Sequence, residues 1–391
     1  MLYYLFEWLD KIDFPGAGAF HYISTRSALS FIVSLLLMLL CGKPFIKWLK
    51  KKQIGETVRH LGLEGQEAKA GTPTMGGLLI LGAIVIPTLL FAKLDNPYIL
   101  IMLFTTVWLG LVGFMDDYIK VFRHNKEGLA GKYKIMGQVV LGIVVGISIM
   151  YIPGLAENAT RTTIPFVKGH ELDYSKIITW MGPWAEKWVW LLYALVVILV
   201  VTAMSNAANL TDGIDGLATG VAAVNGGALA ILAWLSGNVI FAQYLNIMYL
   251  SNIGELAVFS TAFMGATLGF LWFNTHPAEI FMGDTGSLAL GGIIAVFALL
   301  IKKELLLPLL CGIYLVEDLS VIIQRIGTKN ARKKRHIPAG TPVPVEMRPF
   351  LMTPLHHHYQ KKGMKEEKIV MRFIIVAILL AITTIITLKI R

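Results

Sequence analysis

Carboxylates, amides and imidazoles are concentrated in a few short segments of this chain. The stretch Phe273–Ser287, FNTHPAEIFMGDTGS, lies between two apolar runs and holds His276, Glu279 and Asp284. Within it, Gly283-Asp284-Thr285-Gly286-Ser287 sets a carboxylate beside residues that let the backbone come close, which suits a divalent cation held against a phosphate. The same residues would also make an ordinary capped turn, with Asp284 opening the next helix. Asp116 and Asp117 close another apolar run, where the negative end of the helix dipole raises their energy unless a cation compensates. Lys120 falls one turn beyond Asp116 and shares its face if the helix continues. In Asn206-Ala-Ala-Asn209-Leu-Thr-Asp212-Gly-Ile-Asp215-Gly216 the polar residues recur every third position, which gathers them on a drifting common face. Its glycines allow tight turns or close approach of a ligand.

His356-His357-His358 lies inside a basic loop. Consecutive side chains cannot all face one ion on a regular element, so phosphate or sugar contact ranks above a transition-metal site. Glu317 and Asp318 are acids within an apolar run. Such acids are functional candidates by default, but no motif partner is evident, and a helix-packing role is equally open.

The elements that must position these groups are set by composition. The 391 residues are 55% hydrophobic and 15% charged, far from a soluble average. The apolar runs are long and lack strand alternation, so the chain reads as an all-α integral membrane protein, a single polytopic domain over 1–391. About ten spans are expected from runs of membrane-crossing length: 27–46, 74–92, 98–115, 135–152, 188–204, 217–235, 256–273, 287–301, 305–323 and 369–388. The run 239–250 is too short to cross and reads as interfacial or re-entrant. Residues 1–26 read as an amphipathic interfacial segment. Cys41 and Cys311 lie in apolar runs, which argues against a disulfide scaffold or a thiolate metal cluster.

The net charge of +10 does not imply nucleic acid, because the basic residues fall in loops between spans and follow positive-inside sorting. Under that topology Lys69, Asp116-Asp117, Asn206–Asp215, Asn274–Asp284 and His356-His357-His358 all reach the cytoplasmic face. Carboxylates near a cation, lysines for phosphates and a lipid-facing bundle together fit phosphoryl transfer from a nucleotide-linked donor to a membrane phosphate.

At these residues the sequence resembles the polyprenyl-phosphate N-acetylhexosamine-1-phosphate transferases. The resemblance is carried by Gly71-Thr-Pro-Thr-Met-Gly-Gly77, Asp116-Asp117-Tyr118, Asn206 through Leu217, Phe281-Met-Gly-Asp284-Thr-Gly-Ser287 and Pro354-Leu-His356-His-His358-Tyr359. The triple His in its setting is similar to the branch that uses UDP-N-acetylmuramoyl-pentapeptide and undecaprenyl phosphate. The resemblance implies an inner-membrane enzyme, with its active site on the cytoplasmic face, that releases UMP with Mg²⁺ as cofactor and works as a homodimer in membrane lipid. It implies Asp284 as the Mg²⁺ ligand, Asp116 as the group that activates the lipid phosphate, Asp117 as its support and His356 as a further catalytic residue. Lys69, Lys120, Lys132, Asn206, Asn209, Asp212, His357 and His358 are implied as substrate-binding. Asp215, Asn274 and Phe281 are implied as the uridine pocket, with Phe281 stacking on uracil. The N-terminal segment and 153–187 are longer than the family's compact core.

A sister enzyme using UDP-N-acetylglucosamine remains an alternative. So does a cation-coupled transporter, which also buries Asp, Asn and Gly near broken helices. A carrier should show paired halves and mid-membrane acids, whereas these acids gather at one face and no internal repeat is visible.

Overall fold

A computed structural model describes residues 1–52, 69, 71–123, 125, 127–166, 171–180, 182–338, 341 and 343–389. Most of the basic loop expected after the first span, including Arg59, lies outside the described residues, as does Lys126.

In a bilayer core every backbone N–H and C=O must be satisfied internally, and the apolar runs accordingly form helices. In order they are α1 (Leu2–Asp10), α2 (Ile23–Lys51), α3 (Gly77–Phe91), α4 (Pro97–Phe122), α5 (Gly131–Tyr151), α6 (Ser175–Thr179), α7 (Val189–Thr211), α8 (Leu217–Ser236), α9 (Val239–Leu245), α10 (Glu255–Asn274), α11 (Gly283–Leu300), α12 (Leu307–Leu310), α13 (Gly312–Lys334), α14 (Leu355–Lys361) and α15 (Glu366–Thr387). Among the described residues the only strands are β1 (Arg161–Thr163) and β2 (Glu171–Asp173), which pair antiparallel with Thr162 opposite Leu172. The chain is an all-α integral membrane protein with one small hairpin added in the segment 153–187.

Eight described helices are long and apolar enough to cross a membrane, or nine if a bent pair counts as one span. The expected second span, α3, has 15 residues, about 22 Å of helix against a core of about 30 Å. The straight span expected at 305–323 is corrected. The segments Glu304–Leu310 and Gly312–Lys334 meet at 81°, because Cys311 leaves helical geometry at φ −99°, ψ 30°. Hydropathy is blind to such a bend. The short run after Val239 forms only the seven-residue α9, ended by Asn246 in the left-handed region.

The helices differ sharply in how enclosed they are. The apolar window of α11 is 89% buried and that of α10 72%, whereas α2 and α15 reach only 28%. The inner helix α11 packs along α4 and α7, and α10 packs along α2 and α8. Their C-terminal and N-terminal ends, Asn274 and Gly283, deliver the polar loop between them to one end of the bundle. At the opposite end, Arg26 and Glu255 form a buried ion pair at 2.6 Å. There too the hairpin is tied down, with Lys302 Nζ donating to Ala159 O at 2.9 Å and Tyr174 OH donating to Glu304 at 2.9 Å.

Candidate active site

Three carboxylates meet where α4 passes the first turn of α11. Helix α4 continues beyond Asp116 to Phe122, so Lys120 does share its face, with Nζ 2.5 Å from Asp116 Oδ2. Asp116 Oδ1 accepts the Leu129 N–H at 2.7 Å and lies 2.9 Å from Lys134 Nζ. Lys134 also reaches Asp284 Oδ2 at 2.5 Å, and Lys120 lies 3.3 Å from the same oxygen. On the other side, Asn209 Nδ2 donates to Asp284 Oδ1 at 3.1 Å and to Ser287 Oγ at 2.8 Å. Two ammonium groups therefore sit between Asp116 and Asp284, which offsets the cost of gathering like charges.

Asp117 faces differently. One oxygen accepts the Asp284 N–H at 3.0 Å, and the other accepts the Thr285 N–H at 2.9 Å and the Thr285 hydroxyl at 2.5 Å. It caps α11 from a neighbouring helix, satisfying N–H groups that have no partner within their own helix. Gly113, one turn earlier on α4, permits this approach: a Cβ there would lie 2.2 Å from Asp284 O.

A second cluster gathers at the Asp215 turn. Lys69 Nζ bridges Asp215 Oδ1 at 2.7 Å and Glu366 Oε1 at 2.6 Å. His276 Nδ1 and the Ala278 N–H both meet Asp215 Oδ2, at 2.9 and 3.1 Å. Burial works against the Lys69 ammonium, but Glu366 and Asp215 outweigh it and raise its pKa. Phe281, three residues after Ala278, is half-buried. Its backbone is fixed by donation to Pro73 O at 2.8 Å and acceptance from Gly76 N at 2.9 Å.

The histidines diverge as their spacing requires. His356 is fully buried against Glu317, with Nδ1 3.0 Å from Oε2. His357 pairs with Gln360 at 2.7 Å, and its pKa is lowered to about 4 by burial and then by His356. His358 accepts the Leu351 N–H at 3.1 Å.

This arrangement can neutralise phosphates and offers hard oxygen ligands. Two groups of described residues could hold a metal ion by proximity of their ligand atoms: Asp116, Asp117 and Asp284, and Asp215, His276 and Glu366. The family model "Glycosyl transferase family 4" matches residues 99–302. The model "Phospho-N-acetylmuramoyl-pentapeptide-transferase signature 1" matches 69–81, the strip that carries Lys69 and hydrogen-bonds to Phe281 and Met282. The phospho-N-acetylmuramoyl-pentapeptide-transferase of Flavobacterium johnsoniae is 52% identical over 418 aligned residues, covering all of both chains. The proteins of that name from Parabacteroides distasonis and Amoebophilus asiaticus are 51% and 52% identical, again over the full length of each. The chain belongs to the phospho-N-acetylmuramoyl-pentapeptide-transferase family.

Of the residues that the family resemblance singled out, the structure brings Asp116, Asp117, Asp284, Lys120 and Asn209 into one cluster and Lys69 and Asp215 into the other. Three others lie outside the two clusters. Lys132 is exposed, its Nζ 5.1 Å from the Tyr133 ring centroid, whereas Lys134 reaches both Asp116 and Asp284. Asn206 exchanges hydrogen bonds with Gln138 at 3.1 and 3.2 Å and so clasps α7 to α5. Asn274 is buried, accepting from Gly216 N and Thr219 Oγ1 and donating to Ile280 O. It fixes the turn that carries Asp215. Asp212 is half-buried at the end of α7. Lys134, Glu366, His276 and Glu317 had not been assigned to the site. A signal for Lys134 exists: it continues the stripe of Gln138, Leu141 and Val145, all buried on α5.

Proposed function

We infer that the protein transfers phospho-N-acetylmuramoyl-pentapeptide from its UDP-linked donor to undecaprenyl phosphate, releasing UMP and forming lipid I for peptidoglycan synthesis. The observation that carries the reading is the interleaving of Asp116 and Asp284 with Lys120, Lys134 and Asn209, in a chain about half identical over its whole length to transferases of that name.

In the reaction an acceptor phosphate oxygen bonds to the sugar-linked phosphorus of the donor, and the bond from that phosphorus to the UMP oxygen breaks. Asp116, held by three donors, orients the lipid phosphate and takes its proton. Lys120 and Lys134 neutralise the diphosphate as charge shifts toward UMP. Asn209 and the Asp117 cap hold Asp284 in place. The oxygen-only donor set fits Mg²⁺. Asp284 would hold the ion with Asp116, since their oxygens meet lysine side chains that an ion could displace, whereas both oxygens of Asp117 hold the α11 backbone. When bound, Mg²⁺ would supply Lewis-acid neutralisation of the diphosphate. Phe281 and the Lys69–Asp215 pair form the uridine end.

The chain works in the bacterial inner membrane with both clusters at the cytoplasmic face. The basic last turn of α13, Arg332, Lys333 and Lys334, supports that orientation. Association as a homodimer belongs to the same reading and is checked by mass in detergent. The deciding assay supplies purified protein with each UDP-sugar donor, acceptor lipid and Mg²⁺, and follows UMP. Release only from the N-acetylglucosamine donor would overturn the substrate assignment, and activity undiminished by chelator would overturn Mg²⁺.

A further inference from the structure

Glu317 sits six residues past the 81° break, where a straight span would have aimed it elsewhere. An ionised side chain at this depth is costly unless it is fully used. Among the described residues the Glu317 side chain is used on a single partner, His356. Glu317 and His356 are both 0% exposed, with His356 Nδ1 3.0 Å from Oε2 and the His356 backbone N–H 3.2 Å from Oε1. A carboxylate that accepts a backbone N–H on one oxygen accepts the ring N–H on the other, so the proton belongs on Nδ1. The opposite ring nitrogen, Nε2, is buried and has no hydrogen-bond partner among the described residues. A second proton there would be a buried donor with no acceptor. Nε2 points at Gly213, where a Cβ would lie 2.3 Å away, so the missing side chain leaves room for the ring under the turn that carries Asp215.

We propose that Glu317 is the positioning residue for His356: it fixes the Nδ1–H tautomer and keeps Nε2 unprotonated against Gly213, so that the imidazole holds the 212–216 turn, and with it Asp215, in place. The inference rests on the transfer reaction above. It assigns Glu317 no contact with substrate; the effect passes through the imidazole.

The test uses the full chain in detergent with Mg²⁺ and both substrates. Glu317→Gln keeps volume and still accepts the backbone N–H, but its amide donates to Nδ1 and moves the ring proton to Nε2. The expected result is a loss in kcat of about 100-fold or more, the direction seen when a tautomer-fixing carboxylate becomes an amide, with a thermal midpoint lowered because the proton moved to Nε2 has no acceptor. Ring ¹⁵N spectra, assigned by the signals lost in His356→Gln, should show Nδ1 protonated in the wild type and Nε2 protonated in Glu317→Gln. Wild-type kcat in Glu317→Gln would overturn the proposal, as would a protonated Nε2 in the wild type, which needs no variant to fold. A wild type that releases no UMP would instead overturn the reaction, while the ring signals still test the tautomer.

Discussion

Lys134 gives the sharpest test of the acid cluster, because a second lysine two positions away serves as its control. Its ammonium lies 2.5 Å from Asp284 Oδ2 and 2.9 Å from Asp116 Oδ1. With Asp116, Asp117 and Asp284 ionised, the cluster carries three negative charges against Lys120 and Lys134, a net of −1. Lys134→Met makes that −2 while keeping side-chain length. A unit charge at about 4 Å is worth about 4 kcal/mol at an effective dielectric of about 20. Access of water to the partly buried Lys134 reduces this to roughly 2–3 kcal/mol, or roughly 30- to 160-fold in rate. The assay is UMP release under saturating donor, with Mg²⁺ titrated in parallel. We expect kcat to fall by that factor and the apparent Mg²⁺ requirement to drop, since a more negative site holds a cation more tightly. Lys132→Met should stay within about twofold, in keeping with the small effects of exposed substitutions. Equal losses in the two variants, or near wild-type turnover in Lys134→Met, would refute this account of the site.

Other expectations follow from individual contacts. Asp117→Asn keeps an acceptor but loses the charge that receives two N–H groups and a hydroxyl; it should lose about 1–3 kcal/mol, read as a lower unfolding midpoint in detergent. Arg26→Met strands Glu255 in the interior and should cost about 3–5 kcal/mol, most of it recovered in the Arg26→Met, Glu255→Met double variant; a double variant no more stable than the single would count against the pairing. His357, lowered to about 4 from an ordinary 6.5, stays neutral in the folded chain while the unfolded chain takes up a proton below pH 6.5. Its contribution to stability is therefore complete above pH 6.5 and lost as pH falls toward 4. The thermal midpoint of His357→Gln should vary less than that of wild type over this window.

How much of this was legible in the sequence depended on whether linear spacing carried the information. Apolar run length gave the membrane bundle, and the Asp116-Asp117, Asn209 and Asp284 motifs marked the cluster, because Asn209 and Asp284 sit where α7 ends and α11 begins and Asp116-Asp117 interrupt the apolar run within α4. That Lys134 rather than its neighbour Lys132 reaches Asp116 and Asp284 is a matter of facing. Two positions along a helix differ by about 200°, so one lysine points out where the other points in. Asn206 and Asn274 looked like ligand-facing polar groups, but their amides join helices to each other and to a turn, and that depends on partners remote in sequence. Glu366 opens the last helix 151 residues after the Asp215 amide to which it bonds. Glu317 had no visible partner because His356 lies 39 residues on, and the break that aims it leaves no trace in hydropathy.

The unequal enclosure of the helices bears on how the chain can diverge. Along α2 and α15, whose apolar windows are mostly exposed on the outside of the bundle, any apolar side chain of similar transfer energy serves where lipid is the neighbour, and sequence can drift at little cost. Helix α11 is nearly all interior, so there each methylene gained or lost opens a void or forces a clash. A randomised library selected for growth should therefore tolerate the outer helices broadly and restrict α11 over its whole length, including turns far from Asp284. Substitutions that pass on α11 should come as compensating pairs with α4 and α7.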